Sequence, residues 1–170
     1  RQRQMCIRDR GCTPRGGQLV DASLIPVPIQ RNSKVENKQI KQGQIPEDWS
    51  ENKRRQKDID ARWTKKNNKS YYGYKVSVNA DKKYKLIRKV HISTASEHDS
   101  QHAKFLLDPQ NTSRDWFADS AYTGEPIETL LGKAKMRPRI QRKGAKGKPL
   151  SQCQKRRNHT LAKTRCRIEH

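Results

Sequence analysis

Apolar positions fall in short, separated runs rather than in one long periodic stretch. Gln18-Leu19-Val20-Asp21-Ala22-Ser23-Leu24-Ile25 comes after a turn at Gly16-Gly17 and reads as a short strand with a carboxylate inside it. Pro26 and Pro28 then bar further central pairing. Residues from about 30 to 68 are polar and charged, without apolar periodicity, and predict a long excursion with one helix near residues 33–41. Strands at 71–78 and 86–93 flank a charged turn at 79–83, the pattern of an antiparallel hairpin. Ser96-Glu97-His98-Asp99 caps a helix to about Leu107, with Ala103, Leu106 and Leu107 on its apolar side.

Asp115-Trp116-Phe117-Ala118-Asp119 reads as a short strand ending in an acid. After a turn, Glu125-Pro126 opens a helix reaching about Lys133. Residues 136–141 are a further strand, 142–149 a flexible basic loop rich in Gly, Lys and Pro, and 151–170 a helix with Leu161, Thr164 and Ile168 on one face. There are no internal repeats. The order of strand, excursion, hairpin, helix, strand, helix, strand, loop and helix predicts a mixed α/β domain around one central sheet. The opening segment, residues 1–13, has no periodicity and does not lead sensibly into the first strand; it is read as unmatched, native or a cloning or assembly artefact, and is left out of the fold.

Composition changes this picture. The chain has 170 residues, of which 39 are Lys or Arg and 17 are Asp or Glu, for a net charge of +22; only 31% are hydrophobic. Typical domains hold roughly 45–50% apolar residues on a count that includes Gly. So basic and apolar-poor a chain is either a fragment or one that needs a polyanion to offset its self-repulsion. Nucleic acid is the leading partner. A membrane is disfavoured, because there is no long apolar run and no strong amphipathic basic helix, and nothing resembles a signal peptide; the reading is cytoplasmic. Cys6, Cys12, Cys153 and Cys166 lack zinc-ligand spacing and are read as reduced thiols without a role. Residues 137–157 suit a phosphate-tracking surface, with Arg142 and Lys143 as contacts, or a solvated loop. Each phosphate neutralised would steepen the salt dependence of duplex binding by roughly 0.9. Trp49, Trp63, Tyr71 and Tyr72 can stack on bases or build the core, and the scarcity of apolar residues favours the core.

The acids carry the candidate chemistry. Asp21 lies inside one apolar strand and Asp119 ends another, places where a carboxylate needs a cation or local backbone donors. Either would satisfy them. Glu169 is the only acid from Lys133 onward, among fourteen Lys and Arg. Its plain reading is an ion pair with Arg165 one helical turn earlier.

Several ordered blocks carry a resemblance. They are Gly17-Gln18-Leu19-Val20-Asp21-Ala22, Gln30-Arg31-Asn32-Ser33, Gln56-Lys57-Asp58, Asp60-Ala61-Arg62-Trp63-Thr64-Lys65-Lys66 and Gly73-Tyr74-Lys75. Later in the chain come His98-Asp99-Ser100-Gln101, Leu107-Asp108-Pro109, Ala118-Asp119-Ser120-Ala121-Tyr122 and Arg165-Cys166-Arg167-Ile168-Glu169-His170. From about Arg15 onward the chain resembles DDE-class bacterial insertion-sequence transposases, in the group named after insertion sequence five. The resemblance implies a ribonuclease-H-like mixed sheet with flanking helices, here truncated at both ends, with residues 14–170 a partial catalytic domain carrying a polar insertion at about 30–68. It implies Asp21, Asp119 and Glu169 as catalytic acids holding two Mg2+ or Mn2+ ions. It further implies double-stranded DNA, as transposon ends and target, a homodimer on paired ends, and cleavage followed by attack of the freed 3′-hydroxyl.

Arg165 matches the arginine of the signature around the family glutamate and is expected to face the same phosphate; Ala162 replaces the tyrosine expected three residues before it. Tyr122 either contacts substrate or packs beside its strand. Because Glu169 stands at a frayed helix end, weak activity is expected. Two alternatives stay open: a non-catalytic basic DNA- or RNA-binding module, and a nuclease of the same fold that cuts without joining.

Overall fold

The computed structural model describes residues 16–27, 31–111 and 113–169, without the side chains of Arg167 and Glu169. Segment 1–13 with Cys6 and Cys12, Pro28, Gln30, the Glu169 carboxyl and His170 lie outside the described residues. Strands β1 (Gln18–Pro26), β2 (Arg62–Lys66), β3 (Lys69–Asp81), β4 (Ile87–Thr94), β5 (Asp115–Ala118) and β6 (Arg137–Ile140) form a six-stranded sheet in the order β2-β3-β1-β5-β6, with β4 paired to β3. β1 and β6 run parallel to β5, and β2 antiparallel to β3, so the sheet is mixed. Helices are α1 (Lys34–Lys41), α2 (Glu51–Gln56), α3 (Ala103–Leu106), α4 (Glu125–Lys133) and α5 (Gln152–Glu169). This is the mixed α/β sheet with flanking helices that the sequence predicts, and it is consistent with a ribonuclease-H-like fold. Among the described residues no helix is long and apolar enough to cross a membrane.

The chain divides into two compact units. One comprises the described residues of Arg1–Ala22, Ser77–His91 and His98–His170, the other Ser23–Val76 and Ile92–Glu97.

In the first unit the start of β1 and most of β5 are buried on both faces, which is why they read as nearly continuous apolar runs. Side chains alternate along a strand. Val20, Trp116 and Ala118 accordingly pack on one face with Leu106, Ile127, Leu131 and Ile140, while Leu19 and Phe117 meet Leu161 and Ile168 of α5 on the other. Helix α4 starts and stops where its residues dictate. Pro126 fits the first turn, Glu125 and Glu128 favour the positive helix end, and Ile127 and Leu131, four apart, are its buried pair. Ser151 and Gln154 cap α5 reciprocally, at 3.2 and 3.0 Å.

The expected turn at 79–83 is corrected: β3 runs on through Asn79, Ala80 and Asp81, all buried. Asn79 donates to Gln18 Oε1 and to the Leu106 carbonyl, at 2.6 and 2.5 Å. The Asp81 carboxylate accepts the amides of Gly16, Lys83 and Tyr84, so the turn closes after it. These polar residues mimic a turn in sequence but are hydrogen-bonded in the interior. The helix expected from residue 96 begins instead as a 3-10 turn, Asp99–His102, capped by the His98 ring, and becomes α3 only at Ala103.

In the second unit α1 forms as predicted. Ser33 and Glu36 make a complete capping box, with Glu36 N–H to Ser33 Oγ at 3.2 Å and Ser33 N–H to Glu36 Oε2 at 2.7 Å. The polar excursion also contains α2 and β2, which lack an apolar pattern. No residue of α2 is buried, and Ser50 caps it. β2 is held by its ladder to β3, from Arg62↔Gly73 to Lys66↔Lys69. The connecting Asn67-Asn68 both have positive φ, 50° and 62°, the backbone of a tight hairpin turn. Trp49 and Tyr72 are core residues, whereas Trp63 is 38% exposed.

Glu36 is the polar hub of this unit. Burial alone would raise its carboxyl. The Ser33 amide, the Trp49 indole N–H at 2.9 Å, and Lys57 and Lys53 outweigh burial and hold it down at about 2. Because its folded pKa is depressed, its contribution is fully present above about 4.5 and is lost as pH falls toward 2. Glu36→Gln is therefore expected to flatten acid destabilisation across that window, monitored by tryptophan fluorescence; an unchanged acid transition would refute this role.

Candidate active site

Asp21 lies inside β1, and Asp119 directly follows β5, the parallel neighbour of β1. The β1–β5 register pairs Gln18 with Trp116 and Leu19 with Phe117. Continued two residues along both chains, it sets Asp21 beside Asp119. Both segments leave the apolar core at this level, so each acid is part-exposed while the residue before it is buried. Asp119 also caps the adjoining 3-10 turn, Ser120–Tyr122, accepting the Ala121 amide at 2.9 Å through Oδ1. That bond occupies one oxygen and leaves the carboxylate further acceptor capacity.

A cation is already built in. Arg165 is 7% exposed and donates from Nη2 to Asp21 Oδ1 at 3.2 Å and from Nη1 to Gln141 Oε1 at 2.6 Å. Gln141 comes directly after β6, and its amide bonds the Ala118 carbonyl at 3.2 Å, so β5, β6 and α5 are tied together beside the acids. A buried guanidinium paired in this way offsets part of the carboxylate charge. Leu161, Arg165 and Ile168 lie on the side of α5 that meets the sheet, and position 169 falls one turn beyond Arg165. The structure thus points Arg165 inward to Asp21, where the resemblance implies a phosphate contact.

Tyr122 is buried and packs edge-on against Trp116, with centroids 5.5 Å apart. Burial raises its phenol well above the usual range, with Asp99, Asp119 and Asp21 adding to the rise and Ser77 opposing it. The hydroxyl is therefore neutral and lies within electrostatic reach of three carboxylates. Asp99 is the member that the sequence suggests only as a helix cap; its sign there is the block His98-Asp99-Ser100-Gln101. Arg142 and Lys143 are exposed and line an open cavity of about 380 Å³ with Thr123, Lys148 and Gln154. Their loop is anchored by Asn158, which accepts the Arg142 amide at 2.9 Å and donates to its carbonyl at 2.7 Å. Cys153 and Cys166 are free and exposed.

Hard oxygen donors on neighbouring parallel segments, partly open to solvent, suit a divalent cation such as Mg2+ that keeps several waters. The donor set fits that group, and among the described residues Asp21 and Asp119 are the acids that could hold it.

Residues 13–170 match the family described as Transposase DDE domain. Over 113 residues the chain is 34% identical to a protein of Neisseria meningitidis serogroup B named transposase for insertion sequence element IS1106, covering 66% of this chain and 39% of that protein. The match therefore spans about two fifths of the relative's length. No solved structure matches the chain.

Proposed function

The chain belongs to the Transposase DDE domain family, and from that premise we propose that residues 14–170 are part of a catalytic domain that cuts DNA at transposon ends and joins the freed 3′-hydroxyl to target DNA. The observation that supports this reading is the parallel β1–β5 pairing, whose register, extended by two residues, brings Asp21 inside β1 level with Asp119 just after β5. Glu169, one turn beyond Arg165, is proposed as the third acid. The narrower assignment to the group named after insertion sequence five rests on the motif blocks of the sequence. The DNA is double-stranded, at both ends and target, and a homodimer holds paired ends in the bacterial cytoplasm.

Asp21, Asp119 and Glu169 would hold two Mg2+ or Mn2+ ions, which when bound activate water and stabilise the attacking and leaving oxygens of a phosphodiester. Arg165 orients Asp21, and its own burial prevents it from swinging to solvent. Tyr122, held neutral, forms an apolar wall beneath the acids. Arg142 and Lys143 supply positive charge beside the site for the phosphate backbone.

Calorimetric titration with Mn2+ tests the site. Wild type is expected to give a saturable signal that Asp119→Asn abolishes, because Asn keeps the capping acceptor but loses the charge. Equal heats from both proteins would sink the proposal.

A further inference from the structure

The second unit holds a cavity unlike the acidic site. It measures about 840 Å³, and Arg31, Lys34, Lys38, Lys41, Trp63 and Ser70 are among the residues that line it. That volume lies in the range of small-ligand pockets, roughly 300–1,000 Å³. Among the described residues no carboxylate lines it. Glu36, the acid of the same helix, is engaged by Trp49, Lys53 and Lys57 instead.

Two features of the lining are unfavourable for the protein alone. Lys34, Lys38 and Lys41 recur at spacings of four and three, so they share one stripe of α1. Like charges at that spacing repel, and Lys34 stands at the first helical position, where the helix end is itself positive. Trp63 is the second. It packs at 5.1 Å on its cross-strand partner Tyr72, yet stays 38% exposed while Trp49 is buried. The cross-strand pair accounts for one side of the indole and not for its opening to the cavity. Arg31 lies 5.6 Å from the Trp63 ring centroid, a cation already resting on the aromatic face. An anion at the helix stripe and a flat π-system at the indole would relieve both features.

We infer that this cavity binds an unpaired stretch of DNA strand, a base stacking on Trp63 while its phosphates lie along Lys34, Lys38 and Lys41. Positive charge that tracks the backbone and an aromatic that takes any base are the two elements of single-strand recognition. Arg31 either continues the stack or moves to a phosphate when a base replaces it on the ring. Duplex DNA keeps its bases stacked inward and cannot offer one to Trp63. The inference rests on the reading that DNA is the partner, but not on the metal site.

The test is binding of the full chain to a short single strand of DNA, its duplex and an RNA strand of the same sequence, by fluorescence anisotropy at fixed salt. Trp63→Ala is expected to weaken single-strand binding by roughly tenfold or more, with duplex binding within about twofold, and Trp63→Phe to restore most of the loss. Lys34→Gln with Lys38→Gln, exposed changes that leave the aromatic pair intact, is expected to lower the single-strand salt slope by roughly 0.7 for each phosphate no longer neutralised. That pair of variants decides the matter should Trp63→Ala unfold. Single-strand affinity unmoved by either variant, an equal loss on duplex, or preference for RNA overturns the inference. Duplex binding without single-strand binding by wild type overturns it while leaving the transposase reading intact; no DNA binding at all overturns both.

Discussion

Asp21→Asn is expected to reduce metal-dependent DNA cleavage by on the order of 10³-fold, while DNA binding stays within about twofold or tightens slightly. The geometry separates two roles for this side chain. As a ligand it must carry charge, which Asn removes. As the acceptor for Arg165 Nη2 it needs only an oxygen, which Asn retains. The buried guanidinium keeps a neutral acceptor and its bond to Gln141, so the fold is expected to survive with a loss far smaller than the catalytic one. Nicking of supercoiled plasmid in Mn2+ registers even one slow cut per molecule and suits a domain of weak activity. Loss of nicking with retained binding supports the enzyme. A variant that nicks like wild type would instead favour a basic binding module in which Asp21 serves only the ion pair.

That ion pair marks where sequence reading stops. Asp21 and Asp119 are legible because carboxylates are out of place in apolar strands, and the strands around them are legible because burial on both faces leaves continuous apolar runs. α1 and α4 announce themselves through Ser33, Glu36 and Pro126. Arg165 sits on the α5 side that also carries Leu161 and Ile168, and periodicity alone does not say whether an arginine among apolar neighbours turns outward to DNA or inward to an acid. The answer depends on a partner 144 positions away. Asn79 and Asp81 mislead for the opposite reason: residue types common in turns are used here as buried hydrogen-bonding groups. β2 escapes a reading by periodicity because its stability resides in a backbone ladder. Its sequence sign is the Asn67-Asn68 pair between Trp63-Thr64 and Tyr71-Tyr72, which suits a two-residue hairpin turn.

Gly73→Ala is expected to destabilise the second unit by about 3 kcal/mol or more, enough to unfold it at room temperature in so apolar-poor a chain. Gly73 has φ of 155°, and a Cβ built there would lie 2.1 Å from the Ile25 carbonyl oxygen and 2.9 Å from the Val27 amide nitrogen. Both are backbone atoms of the segment that β3 approaches, so no rotamer change relieves the clash. Displacing that segment would break the Val27 N–H bond to the Tyr72 carbonyl, 2.9 Å, and moving Gly73 away instead would break the Ala95 N–H bond to its carbonyl, 3.1 Å. It would also disturb Tyr72, whose hydroxyl and Asn32 amide both bond the Asp58 carbonyl, at 2.9 and 2.7 Å. The clash therefore reaches the aromatic pair that presents Trp63 to the cavity. Thermal unfolding monitored by tryptophan fluorescence checks it: the tryptophans of this unit, Trp49 and Trp63, should report an early transition, while Trp116 in the first unit holds to a higher temperature. Gly43→Ala is the control, since its φ of 78° is strained but a Cβ there meets nothing within 4 Å. A melting curve for Gly73→Ala no lower than that of Gly43→Ala would show that β1 can give way, and that the close approach does not hold this unit together.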